Sequence, residues 1–288
     1  MDTVWMLAMQ RQEIILADVC ARGAVRVTDL VAALDVSDMT IRRDINELAQ
    51  RGLVRRVHGG AVDAQHTAHE PDFALKRTLA ADQKLAIARA ALAWITPGSS
   101  IALSAGSTAH LLAELVAADP SLRPLTVVTN SLPVADTLHT ASRRAENRDL
   151  DVVLTGGVRT PSDALVGPVA DSALGQLRVD RTFLGVHGLG PDGLTTPNLL
   201  EAQTDRALIA CAGDVVVLAD HSKWGVVGLA RIAPLGAVDL LITDDGLPDG
   251  ARRVAESAVG QLLLAPVPTP SRSTDFRTRT PTPERGAP

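Results

Sequence analysis

Three apolar runs in this 288-residue chain end in small, hydroxyl or amide residues of the kind that hold an anion. The first run, 100–103, leads into Ser104-Ala105-Gly106-Ser107-Thr108. Gly106 lets a backbone approach closely, and Ser107 and Thr108 place hydroxyls beside the free N–H groups that open a helix, a suitable cradle for phosphate. The second run ends in Thr129-Asn130-Ser131 and the third in Thr155-Gly156-Gly157. Each alone is as readily a helix cap; three such strand ends together favour a ligand. Farther along stand His187, in Gly185-Val186-His187-Gly188, then Glu201, Asp220 and Lys223. The last three are distant in sequence but could converge at one edge of a sheet. Against that stands an ordinary Glu at a helix start and an exposed Asp/Lys pair worth about 0–1 kcal/mol. His187 is as readily a loop histidine as a ligand contact.

A second set of chemistry-bearing residues lies near the amino end. Ile41, Ile45 and Leu48 repeat at i, i+4 and i+7, so they share the buried face of a helix. Thr40, Arg42, Arg43 and Asn46 then fall mostly on other faces and reach outward. Between positions 40 and 60 five arginines stand against two acidic residues, whereas residues 1–62 hold eight of each sign. Positive charge is thus concentrated where the phosphates of a duplex would lie.

The elements that must position these groups follow from pattern. Helix one runs over 11–22, with Ile14, Ile15 and Val19 on one face and Gly23 as its stop. Thr28 caps a second helix through Leu34 that turns Leu30, Val31 and Leu34 inward, and Ser37 caps a third over 38–51, with Gly52 after it. Two helices joined by a short turn make a helix-turn-helix, and 53–62, two short strands about Gly59-Gly60, make a wing. Beyond a polar linker at 63–80 with His66, His69 and Pro71, strand-like runs at 100–103, 125–129, 150–154, 181–185, 215–219 and 238–243 alternate with helical stretches near 82–95, 108–118, 131–145, 168–178, 200–212 and 246–260. Runs rich in Val, Leu and Ile without polar alternation belong to strands covered on both faces. The fold class is α/β: a winged helix-turn-helix domain at 9–62 joined to a mostly parallel sheet domain at 81–265, with ligands expected beyond the carboxyl ends of the strands. Residues 266–288, with six prolines among Ser, Thr and Arg, read as a disordered tail.

Composition removes several classes. Hydrophobic residues make up 46% and charged residues 21%, enough for a real core. No apolar run approaches the roughly 20 residues that cross a bilayer, and the start carries Asp2 and no basic n-region, so neither membrane nor secretion is expected. Met6 and Met9 are alternative starts. Cys20 and Cys211 lie too far apart for a metal cluster or a disulfide framework, and the expected compartment is the cytoplasm. Aromatics at 2% with no Tyr exclude a stacking platform for single strands.

Arg11, Ile15, Val19, Ser37, Thr40, Ile41, Arg42, Arg43, Asp44 and Ile45 resemble the helix-turn-helix signature of the DeoR family of bacterial transcriptional regulators. The order Thr155-Gly156-Gly157, Asp180-Arg181-Thr182-Phe183-Leu184-Gly185, Asn198-Leu199-Leu200-Glu201-Ala202, Ala219-Asp220-His221-Ser222-Lys223-Trp224-Gly225 and Leu241-Ile242-Thr243-Asp244-Asp245 resembles the same family's effector domain, so the likeness spans about 11–250. The resemblance implies that Ser37, Thr40, Arg42, Arg43 and Asn46 meet groove and phosphate, that Arg55, Arg56 and His58 are wing contacts, and that Asp44 orients Arg43 or another neighbouring basic group. It implies a domain similar in fold to ribose-5-phosphate isomerase and a phosphorylated sugar as effector. Phosphate would lie on Gly106, Ser107 and Thr108, beside the strand ends of Asn130, Ser131, Gly156 and Gly157. Lys223 would neutralise it, and Glu201 and Asp220 would accept sugar hydroxyls. Ser104 departs from the acidic residue that many members carry there, which opens the question of the ligand's polar groups.

Three functions follow as expectations. The first is a regulator, expected to repress carbohydrate-metabolism genes, that binds double-stranded operator DNA as a homo-oligomer (dimer or tetramer), without cofactor, metal or catalytic residues. The second is a sugar-phosphate isomerase with an appended DNA-binding module, using Glu201 or Asp220 as base and Lys223 to stabilise an enediolate. The third is an interaction module whose N-terminal helices form a dimer surface.

Overall fold

The structure, a computed structural model, describes residues 7–22, 24–57, 59–63, 73–144 and 147–268. Its first module holds α1 (Ala8–Arg22), β1 (Ala24–Arg26), α2 (Val27–Leu34), α3 (Asp38–Gln50), β2 (Val54–Val57) and β3 (Gly60–Asp63). Ile15, Val19, Leu30, Ile41, Ile45 and Leu48 make its core. Ser37 caps α3 as expected, its hydroxyl accepting from the Thr40 N–H at 3.2 Å. Three local expectations are corrected. Ile14 is exposed, because Leu16 takes the inward position beside Ile15. The α2 cap is Arg26, without a side-chain bond, because the chain enters that helix directly from β1; Thr28 lies in the first turn and donates to the Asp29 carboxylate. The wing has three strands, with β3 in the middle and both pairings antiparallel. That arrangement dictates glycine at position 60, where a Cβ would stand 2.0 Å from the Val25 carbonyl oxygen.

The second module opens with α4 (Phe73–Thr78) and α5 (Ala81–Leu92), so the expected linker holds a helix in its second half. His66, His69 and Pro71 fall outside the described residues, as does the tail from 269 onward. Then come β4 (Ser100–Leu103), α6 (Ser107–Ala118), β5 (Leu125–Thr129), α7 (Leu132–Ser142), β6 (Leu150–Leu154), β7 (Val158–Arg159), β8 (Leu165–Val166), α8 (Pro168–Leu174), β9 (Val179–Gly185), β10 (Gly188–Gly190), β11 (Gly193–Thr196), α9 (Leu199–Ala210), β12 (Ala212–Leu218), β13 (Ala230–Ala233), β14 (Leu240–Asp244), α10 (Asp249–Ala258) and β15 (Gln261–Ala265).

Seven of these strands form one sheet in the order β15-β14-β12-β9-β4-β5-β6, with every pairing parallel. Apolar clusters cover both faces of the inner strands, which is why those read mainly as Val, Leu and Ile, while edge strand β6 leaves Val153 and Leu154 exposed. The chain lays down β4 in the middle, winds outward to β6, and returns beside β4 with β9 before winding the other way. Strand order therefore reverses between β4 and β9, and a crevice opens beyond their carboxyl ends. A small antiparallel sheet, β10-β11-β13, stands beside it. Among the described residues no helix is long and apolar enough to cross a membrane.

Candidate functional site

At the reversal point the carboxyl end of β4 is tied to that of β9 through Ser104, whose hydroxyl accepts from the Gly185 N–H at 2.9 Å and donates to the Ala105 carbonyl at 3.1 Å. Asn130, at the end of β5, fixes the same loop: its side-chain oxygen accepts from the Ala105 N–H at 3.1 Å and its amide donates to the Leu165 carbonyl at 3.2 Å. Gly106 then opens α6 at φ 134° without a side-chain cap, a conformation that favours glycine. The first-turn N–H groups of a helix have no intrahelical acceptor, and α6 has no acidic residue in its first turn to compete for them.

These groups line a cavity of about 760 Å³. It takes in Gly106, Ser107, Thr108, Asn130, His187, Glu201, Asp220 and Lys223, so most of the effector residues expected from sequence converge. Ser131, Gly156 and Gly157 are not among its lining residues. Ser131 is buried as the cap of α7, accepting from the Val134 N–H at 3.4 Å. Gly157, just before β7, packs on the backbone of Val166 in β8, whose carbonyl oxygen would lie 2.7 Å from a Cβ there, so its smallness serves that close strand approach. Gly156 sits in the connection between β6 and β7 at φ 73°.

The polar lining is already ordered. Glu201 accepts from the Ser162 hydroxyl at 2.5 Å and the Thr196 hydroxyl at 3.4 Å. Asp220 caps the turn of residues 221–223, accepting from the Ser222 N–H at 3.1 Å and from the Ser222 hydroxyl. His221 binds the Asp244 carboxylate at 2.6 Å through Nδ1, and this hydrogen bond holds its pKa above the ordinary histidine value.

Two cations that the sequence reading passed over also line the space, Lys76 and Lys84. Lys84 is 3% exposed and its Nζ donates to the carbonyls of Lys76 at 2.5 Å and Leu79 at 2.6 Å. Burial, with Lys223 and Lys76 nearby and only Asp220 opposing, lowers its pKa to about 8. Burial and the same two lysines push His187 to about 3, so it lines the cavity as a neutral ring. A signal for Lys84 was present in the sequence: it shares the buried stripe of α5 with Ile87, Ala88 and Ala91, at i, i+3, i+4 and i+7. Lys76, on a six-residue helix, gave no such signal.

On the other module, the expected nucleic-acid residues lie on one helix and its wing. Arg42 pairs with Asp38 at 2.5 Å and Arg43 with Glu47 at 3.2 Å, both exposed i, i+4 pairs. The Ser37 hydroxyl lies 2.8 Å from that of Thr40. Asn46 accepts from Arg56 at 2.7 Å, which joins helix to wing. The side chain of Arg55 and the whole of His58 fall outside the described residues. Asp44 is buried and takes Arg11, at 2.8 and 3.2 Å, rather than Arg43; it pins α3 to α1.

Two family models match the chain: the DeoR-like helix-turn-helix domain over residues 11–67 and the DeoR C-terminal sensor domain over 79–245. The uncharacterized HTH-type transcriptional regulator YgbI of Escherichia coli is 35% identical over 261 residues, covering 90% of this chain and 99% of the relative. The HTH-type transcriptional regulator GlpR of Haloferax volcanii is 36% identical over 255 residues, 88% and 96% of the two chains. The glycerol-3-phosphate regulon repressor of E. coli is 32% identical over 257 residues, 88% and 98%. Among solved structures, ribose 5-phosphate isomerase A of Methanocaldococcus jannaschii aligns with 50% of this chain and 54% of its own, at 19% identity and a TM-score of 0.36.

Proposed function

The chain belongs to the DeoR family of helix-turn-helix transcriptional regulators, and from that premise we propose that it represses genes of carbohydrate metabolism and that a phosphorylated sugar in the crevice cavity relieves the repression. One observation carries the ligand class: the uncapped start of α6 and the cations Lys84 and Lys223 line the same cavity. Lysine and helix-start N–H groups are complementary to a phosphate, while Glu201, Asp220 and the neutral His187 suit the hydroxyls of a sugar. Two relatives named as glycerol-3-phosphate regulon repressors, from E. coli and Haemophilus influenzae, support the same class.

The operator face comprises Ser37, Thr40, Arg42, Arg43, Asn46 and Arg56, to which the resemblance adds Arg55 and His58. A single winged helix reads a half-site, so the working form is a homo-oligomer. The two carboxylates that an isomerase would use as bases already accept hydrogen bonds from Ser162, Thr196 and Ser222. That supports a binding role over proton transfer, and no turnover.

The test is thermal unfolding with glycerol 3-phosphate, ribose 5-phosphate and other sugar phosphates, followed by gel shifts on promoter fragments with and without the best stabiliser. A true effector at about 100 times its Kd stabilises by roughly 2.7 kcal/mol and weakens the shifted complex. Absence of any promoter complex at low salt, with and without sugar phosphates, would overturn the reading. Turnover of ribose 5-phosphate would replace it with an enzyme.

A further inference from the structure

Part of the cavity wall belongs to the DNA-binding module. Leu16 and Ala17 of α1, with Gly52 and Leu53 between α3 and β2, line the same space as Gly106 and Lys223. Leu16 and Leu53 are also buried members of the winged-helix core, and the side chain packed against that core from the sensor module is Leu79, in the turn between α4 and α5. This turn has two fastenings. On one side α4 is held to α6, where the rings of Phe73 and His110 meet edge to face at 5.5 Å and Arg77 lies 3.5 Å from Glu114. On the other, Lys84 holds the carbonyls of Lys76 and Leu79. One buried ammonium therefore faces the ligand cavity and fastens the residue that plugs into the DNA-binding core.

We propose that Lys84 is a latch: an anion in the cavity draws its ammonium away from the two carbonyls, and the turn then withdraws Leu79 from the winged-helix core. The idea rests on the anion-binding reading of the cavity. A dianion is a stronger acceptor for an ammonium than two neutral carbonyls in a site that excludes water, and charge-assisted pairs of opposite sign are the stronger hydrogen bonds. The carbonyls left behind sit at the end of a six-residue helix, and losing their donor loosens that end. Because α6 carries the anion cradle at its first turn and α4 along its side, occupancy is felt at both fastenings. The ligand thus acts through its different contacts with the docked and undocked arrangements, which is what coupling between two sites requires.

Hydrogen–deuterium exchange on the full chain tests this without knowledge of the operator. The probes are inorganic phosphate and glycerol 3-phosphate. In the native chain either probe is expected to slow exchange at residues 107–109 and to speed it at 77–80 and at 12–19. In Lys84→Gln the segments 77–80 and 12–19 exchange fast from the start, and neither probe speeds them further. In Leu79→Ala the probes still slow 107–109, while 12–19 is fast throughout; this variant keeps the test open should Lys84→Gln fail to fold. Slowing at 107–109 with no change at 77–80 in the native chain overturns the latch and leaves the anion site standing. No slowing at 107–109 with either probe overturns the anion reading, and the latch with it.

Discussion

Cations are used in opposite ways at the two ends of this molecule. On the recognition helix Arg42 and Arg43 are exposed and each holds a carboxylate one turn away along its own helix. Such pairs are weak and screened by salt, so they exchange readily for DNA phosphates. In the sensor cavity Lys84 is buried, its hydrogen-bond partners are carbonyls, and Asp220 favours its charge while Lys223 and Lys76 oppose it. A solvated cation next to its counter-ion is at rest. A buried cation whose hydrogen-bond acceptors are carbonyls is held at a desolvation cost that an incoming anion relieves. On the proposed reading, the first surface binds any duplex phosphate to some degree, while the second selects a ligand small enough to enter.

Five measurements would break or sharpen that contrast. The largest effect belongs to an ion pair in the DNA-binding module that behaves like neither group. Asp44 is buried against Arg11, so Asp44→Ala leaves a part-buried guanidinium without its carboxylate. It should cost the winged-helix module about 3–5 kcal/mol, seen as an early transition in urea unfolding that leaves the sensor transition in place. Unchanged unfolding would mean that α1 and α3 are held by apolar contacts alone.

Next in size is Lys223→Gln, expected to remove about 1.5–3 kcal/mol of sugar-phosphate affinity in isothermal titration without altering DNA affinity in the absence of ligand. Arg43→Ala is expected to do the reverse. It costs about 1–3 kcal/mol of operator affinity if Arg43 reads a guanine edge, and leaves the response to sugar phosphates intact. If Arg43 touches only phosphate, binding falls evenly on operator and scrambled DNA with a shallower salt slope. Gel shifts on both DNAs separate these cases.

The fourth measurement is a pH series. Lys84 has a folded pKa of about 8 against an ordinary 10.5, so between those values the unfolded chain binds more protons and stability rises with pH. Anion binding follows the opposite sign, because it needs the ammonium. Sugar-phosphate affinity should fall above about pH 8, by as much as about tenfold per unit, in a range where the phosphate itself stays dianionic. Titrations at pH 7.5, 8.5 and 9.5 would show it, and the decline should vanish in Lys84→Gln. The smallest effect is expected from Asp38→Asn, which frees the exposed Arg42. The melting temperature should not move, and DNA binding should tighten slightly at low salt.

The two regions also differ in how openly the sequence displays them. The helix-turn-helix is local: Ile41, Ile45 and Leu48 at helical spacing, with Ser37 as cap, define α3 without knowledge of the rest. Six of the seven strands of the large sheet were legible: the inner ones because a strand buried on both faces is written as Val, Leu and Ile, and edge strand β6 because its run is apolar although Val153 and Leu154 are exposed. The seventh, β15, was not, because Gln261 and three partly exposed leucines beside a proline-rich tail look like the end of a helix. Ala24–Arg26 is too short to signal a strand, Gly188–Gly190 is mostly glycine, and Gly193–Thr196 is a four-residue run that opens on glycine. In the site, Gly106, Asn130 and Asp220 were legible because strand ends in a parallel sheet face one crevice. Ser131, Gly156 and Gly157 share that signature, but the hydroxyl is spent on the cap of α7, and the glycines lie in the β6–β7 connection, where Gly157 meets the backbone of β8. Lys84 was missed because its value lies in what the chain places over it, the carbonyls of a turn five to eight residues earlier.

Directly after the Leu79 carbonyl comes Ala80, at φ 50°, a backbone conformation in which an alanine is strained and a glycine would be at ease. The joint between reader and sensor is thus built under tension, like a bent spring. A glycine at this position would let the spring go slack. In the proposed latch, relaxing this residue would make the step to the undocked arrangement smaller, since part of the energy for leaving is already stored at the joint.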